Sequence, residues 1–214
     1  MSAEGKPAVP APDELIGMSI RRFLAVTASK TPIPGGGSVA GVVGGLSAAL
    51  GEMVLAFTRG KKQFAGYADE HDALLVRLSR ARGMFEDLTN DDAAAYSLFQ
   101  EATSAEGEDK AQRMALATAA AIDVPRQMTA LALSVLGDLL ALGAHCNSYL
   151  LTDLAAAAVL AEAVVKLSDY NVRVNAVSMD DQAAGAELKA ASARDVGRAK
   201  ELREAVEMIV SEHV

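Results

Sequence analysis

Apolar residues recur three and four positions apart along most of this chain, and nowhere do they alternate with polar ones over a strand's length. The pattern predicts helices throughout. A first helix is expected over residues 12–29, with Leu15, Ile16, Ile20, Phe23, Leu24 and Ala28 along one side. A second, rich in glycine and alanine, follows the glycine loop 35–37 and runs from Val39 to about Phe57. Residues 58–67, with Gly60 and Gly66, form a basic break. The third helix shows the sharpest pattern: Leu74, Leu78, Ala81, Phe85 and Leu88 alternate four and three apart, a narrow seam that continues through Asp92 to Tyr96 and Phe99. After a polar loop at 103–109 comes a long alanine-rich helix to about Leu142. It should bend or restart at Asp123-Val124-Pro125, because proline lacks the N–H that continues a helix. Residues 143–148 form another loop. Thr152 opens a fifth helix, apolar nearly all round and therefore central, and residues 180–212 form a charged outer helix.

Composition agrees with an all-α fold. Just over half the residues are apolar (51%) but only 4% are aromatic, so Ala, Leu and Val carry the core, and alanine is the strongest helix former. The expected architecture is a multihelical antiparallel bundle of five to six long helices. At 214 residues it is expected to be one domain, residues 13–214, behind a flexible tail, residues 1–12. That tail lacks the basic start and apolar centre of a signal peptide. The apolar run 41–57 falls short of the ~20 residues of a membrane span and is interrupted by Glu52, so a cytoplasmic protein with no membrane partner is expected.

Charge and cysteine content narrow the function. A formal charge of −8 argues against nucleic-acid binding. Cys146 is the only cysteine, and His71, His145 and His213 show no metal-ligand spacing, so no disulfide framework and no metal site is expected. His145 and Cys146 read as structural.

Several polar positions interrupt the apolar pattern. In Pro32-Ile33-Pro34-Gly35-Gly36-Gly37-Ser38 two prolines hold the backbone extended, three glycines leave it bare, and Ser38 is placed as the N-cap of the helix that follows. Such a segment either presents backbone N–H groups to a ligand or makes a tight turn between helices. Asp92 either lies on the buried seam or marks where the third helix surfaces with Asn90 and Asp91. Asn171 and Asn175, one turn apart on an apolar helix, can hydrogen-bond the edge of a heterocycle or cross-link neighbouring helices. Asp153 suits a helix cap or a dipole-stabilising role, and Lys61 and Lys62 a solvated pair at a helix C-terminus.

Taken in order, these pieces resemble the cyclodeaminase/cyclohydrolase family: Pro-Ile-Pro-Gly-Gly-Gly-Ser at 32–38, Gly-Lys-Lys at 60–62, Asp-Asp-Ala-Ala-Ala-Tyr at 91–96 and Asp-Val-Pro at 123–125. Asn147, Thr152-Asp153 and Asn-Val-Arg-Val-Asn at 171–175 complete the set. The resemblance covers residues 23–181. It implies an all-α fold, a homodimer at least, and a folate site in a cleft close to the subunit contact. Carried over, Gly35, Gly36, Gly37, Ser38, Lys61, Asp92, Asn147, Asp153 and Asn171 would line that site, with Asn175 beside them. The chain departs from the family pattern at Ala94, often acidic there, at 101–107, which lacks a Leu-Pro-Lys segment, and at Thr152, usually Ser.

The two family reactions share a tetrahedral carbon between N5 and N10 of tetrahydrofolate. Hydrolysis opens 5,10-methenyltetrahydrofolate to 10-formyltetrahydrofolate; cyclodeamination expels ammonia from the 5-formimino compound. A cationic substrate and moving protons call for a carboxylate. The resemblance implies Asp153 as acid/base, Asp92 as second carboxylate or pterin partner, and Lys61 as proton donor to the leaving nitrogen or holder of a folate carboxylate. No cofactor beyond the folate is implied. Without a fused formiminotransferase segment, the cyclohydrolase reaction is expected. A non-catalytic folate-binding dimer is the reading from another class.

Overall fold

The computed structural model describes residues 9–107 and 109–212; most of the expected N-terminal tail and His213 lie outside the described residues. Six α-helices follow one another: α1 (Ile20–Thr27), α2 (Gly36–Ala56), α3 (Ala68–Ser104), α4 (Lys110–Gly143), α5 (Leu151–Ala176) and α6 (Gln182–Ser211), with 3₁₀ turns at Pro12–Glu14, Lys62–Tyr67 and Ser148–Leu150. No strand occurs among the described residues.

From α2 onward each helix reverses the direction of the one before it. Gly37 lies against Asp92 and Gly51 against Leu78, so α2 and α3 are antiparallel. Arg77 pairs with Asp138, Asn175 reaches Ala121, and Arg203 bonds Glu162, which reverses α4, α5 and α6 in turn. α5 is central, packing on α2, α4 and α6. The seam of α3 is the core side: Leu74, Leu78, Ala81, Phe85 and Leu88 are all buried. Phe85 fits because α2 offers glycine opposite it, where a Cβ at Gly44 would lie 2.5 Å from the ring. The bare backbone of α2 is thus the floor on which α3 lies.

Four expectations change. The first helix is split: Leu15 turns inward onto Ile33 and Ala93, and the extended Ser19 starts α1 afresh by accepting from the Arg22 N–H. Ser38 is not the N-cap of α2. Gly35 holds that position, and Ser38 sits in the first turn with its hydroxyl turned to α3. α4 does not restart at Pro125 but runs through it. Finally, α2 has 21 residues, long and apolar enough to span a bilayer, so its length does not exclude that. Its contacts describe a core helix: buried Ser47 donates to the Ala157 carbonyl of α5, and Glu52 accepts from Arg82 of α3.

Candidate functional site

The α2 N-terminus, the distal half of α3, the proline turn of α4 and the C-terminal turns of α5 meet at one end of the bundle. Between them lies a cleft of about 260 Å³ lined by Asp92, Tyr96, Phe99, Val124, Pro125, Asn171 and Asn175. Ser38 Oγ donates to Asp92 Oδ2 at 2.8 Å, and the Ser38 backbone N–H also serves that carboxylate. A Cβ at Gly37 would lie 1.9 Å from Asp92 Oδ1, so glycine there is what lets the carboxylate rest on the start of α2. Burial pushes the Asp92 carboxyl above its usual range, and the Ser38 hydroxyl and amide partly offset this. Gly36 is exposed, with open space where a side chain would stand.

Each asparagine has a defined job. Pro125 has no N–H to give the carbonyl four residues before it, that of Ala121. Asn175 Nδ2 donates to that carbonyl at 2.9 Å, so the amide repairs the bond the proline removes. Asn171 Nδ2 donates to Leu167 O at 3.2 Å within α5. Each amide spends one N–H on a backbone carbonyl, and both side chains line the cleft.

The remaining candidates lie at the other end. Lys61 is exposed after Gly60, whose φ of +75° is the left-handed turn that closes α2. It lines an open cavity of about 560 Å³ with Arg59, Lys62, Phe64 and His71. Asn147 is buried: its N–H donates to Thr58 Oγ1 at 3.0 Å and its Nδ2 to Phe57 O at 3.3 Å, tying the α4–α5 connection to the end of α2. Asp153 stands third in α5, half-buried, behind an N-cap that is Leu150. Among the described residues no hydrogen bond or ion pair reaches its carboxylate, so it caps nothing. With α2 spanning 21 residues at about 1.5 Å rise each, the two groups are about 30 Å apart within one chain. The structure therefore brings Gly37, Ser38, Asp92, Asn171 and Asn175 together and keeps Lys61, Asn147 and Asp153 apart from them. A wider groove of about 470 Å³ between α4 and α6, lined by Arg126 and Arg198, holds none of the candidates.

One cluster escaped the sequence reading. His71 Nε2 and His145 Nδ1 are 2.9 Å apart although 74 positions separate them, and no spacing rule links such residues. His145, read from the sequence as structural, thus has a buried hydrogen-bond partner in His71.

The sequence and the fold have counterparts. Residues 19–194 match the formiminotransferase-cyclodeaminase family. The chain is 32% identical over 174 residues to the mouse formimidoyltransferase-cyclodeaminase, covering 78% of this chain and 32% of that protein, so it spans about a third of the mouse protein's length. It is 29% identical over 171 residues to the methenyltetrahydrofolate cyclohydrolase of Methylorubrum extorquens, covering 77% of this chain and 82% of that one. The crystal structure of formiminotetrahydrofolate cyclodeaminase from Thermotoga maritima superposes with a TM-score of 0.84 at 25% identity, covering 91% of this chain and 96% of its own. With residues 19–194 matching the family model and the fold shared, this chain belongs to the formiminotransferase-cyclodeaminase family.

Proposed function

We propose that this protein hydrolyses 5,10-methenyltetrahydrofolate to 10-formyltetrahydrofolate. The observation that carries the reading is the Asp92 cleft: a half-buried carboxylate braced by Ser38, in a cleft shared with two asparagines and walled by Tyr96 and Phe99. Acceptors suit the donor edge of a pterin, aromatic rings suit its faces, and a carboxylate favours the cationic methenyl carbon over the neutral product. Water attacks that carbon and gives up a proton. The tetrahedral adduct then collapses to the formyl group as the C–N5 bond breaks, N5 takes up a proton and the remaining hydroxyl proton is released to solvent.

Asp153 and Lys61 join this chemistry through a second copy of the chain. A two-fold axis across the α2–α5 face sets the protomers antiparallel, so the Asp92 end of one meets the Lys61–Asp153 end of its partner. The exposed Leu46 of α2 and Val159 of α5 supply apolar surface for that contact. In this assembly Gly35 and Gly36 offer backbone to the ligand, Asp153 moves the proton, Lys61 faces the leaving nitrogen or a folate carboxylate, and Asn147 holds the end in shape.

A second reaction, release of ammonia from 5-formiminotetrahydrofolate, passes through the same carbon, and the likeness to the Thermotoga maritima enzyme favours it as the alternative. Absorbance of methenyltetrahydrofolate, followed with and without protein at a pH where spontaneous hydrolysis is slow, tests the proposal beside an ammonia assay. Accelerated loss of absorbance is expected. Ammonia release without hydrolysis would replace the reaction, and folate binding without either would leave a binding protein.

A further inference from the structure

The Lys61 cavity has a buried proton-holding group behind it. Glu70 Oε1, half-exposed on α3, lies 3.2 Å from His145 Nε2. A carboxylate only accepts, so His145 carries its proton on Nε2 and presents the lone pair of Nδ1. His71 Nε2 lies 2.9 Å from that Nδ1 and must donate to it, which leaves the lone pair of His71 on Nδ1. His71 is 1% and His145 8% exposed, yet His71 lines the cavity that Lys61 lines. Tyr67 stacks on His145 with ring centroids 4.3 Å apart at 14°, and Phe64 meets His71 edge-on. Aromatic faces of this kind favour an imidazolium over a neutral ring.

Resting on the folate reading above, we propose that Glu70, His145 and His71 form a proton relay for the reaction, in which His71 exchanges the proton and the other two position and stabilise it. When His71 Nδ1 takes up the proton that Asp153 has drawn from the attacking water, its Nε2 proton passes to His145 Nδ1. The positive charge then rests on His145, between Glu70 and the Tyr67 ring. Returning the proton through Asp153 to the leaving nitrogen reverses both transfers, and the starting tautomers are restored.

Burial holds His71 below its ordinary value, with repulsion from His145 and Arg59 adding, and a hydrogen bond to the His145 backbone and the Glu70 charge opposing, so the ring is neutral. The charged groups around the pair are few. Arg59 is engaged by Asp72, Lys61 and Lys62 border the cavity, and Glu212 and Cys146 share a recess with His145.

The pH dependence of kcat tests the relay, because a purely structural pair would not move it. Glu70→Gln, at an exposed position, removes the charge that holds the imidazolium. The inflection belonging to the pair should therefore move to lower pH by about one unit. His145→Asn keeps an acceptor for His71 but cannot hold a proton; kcat should fall about 10²-fold with KM unchanged. A wild-type profile in Glu70→Gln, or wild-type kcat in a folded His145→Asn protein, would overturn the relay. Should His145→Asn fail to fold, the Glu70→Gln profile decides. A wild-type protein that turns over no folate would overturn the folate reading, and the relay with it, a result distinct from either of these.

Discussion

Asp92 shows how a functional side chain is held against its own preference. Its carboxyl is raised above the ordinary 3.8 by burial, so the folded state binds a proton more readily than the unfolded one. The sign follows: this group favours folding below its unfolded value, and that contribution is lost as pH rises through the folded value. Asp92→Asn, which still accepts from Ser38, should melt higher than wild type at pH 7 and converge with it in acid, while losing most turnover. Thermal melts at both pH values, read beside the folate assay, check this; a lower melting temperature at pH 7 would mean the carboxylate is a net structural asset. Asp153 is the opposite case, with no bond to lose. Asp153→Asn should keep the wild-type melting temperature and lose about 10²–10⁴-fold in kcat. Unchanged kcat with a lower melting temperature would make it a dipole residue of α5.

Within the elements, the continuity of α4 through Pro125 depends on α5. Proline within a helix costs a hydrogen bond and strands a carbonyl; here Asn175 donates to the stranded Ala121 oxygen. Asn175→Ala should cost about 0.5–1.5 kcal/mol, the usual net worth of a hydrogen bond to a half-buried acceptor. Pro125→Ala restores the N–H that Ala121 needs, so Asn175→Ala made in that background should cost clearly less. A double-mutant cycle by denaturant unfolding measures the coupling, and additive effects would refute the repair. The Asp-Val-Pro and Asn-Val-Arg-Val-Asn segments were legible one by one, as a helix irregularity and a pair of in-line amides. That one compensates the other was not legible, because 54 positions separate Asn175 from Ala121.

At the scale of the molecule, the two groups of candidate residues stand at opposite ends of α2, about 30 Å apart, and the proposed antiparallel dimer reunites them. Light scattering at micromolar concentration should give at least twice 22.2 kDa. Leu46→Lys, made on the exposed face of α2, should yield monomers that stay folded and lose turnover. Fully active monomers of one chain mass would refute the shared site.

Local periodicity settled a great deal. A helical period, an alanine-rich composition and prolines at joints determined an all-α bundle, the seam of α3 and the central place of α5, since burying a stripe is a local property of a 3.6-residue repeat. The same pattern missed the break at Ser19 and the start of α2 at Gly35, where single caps outweigh periodicity. Only the tertiary structure decided which polar residues meet. Direction reverses at each connection, so the N-terminal turn of α2 rests on Asp92, and two histidines 74 positions apart share a hydrogen bond. Those contacts depend on helix length and register between helices, which are set by packing across the core and leave no mark on the spacing of residues along the chain.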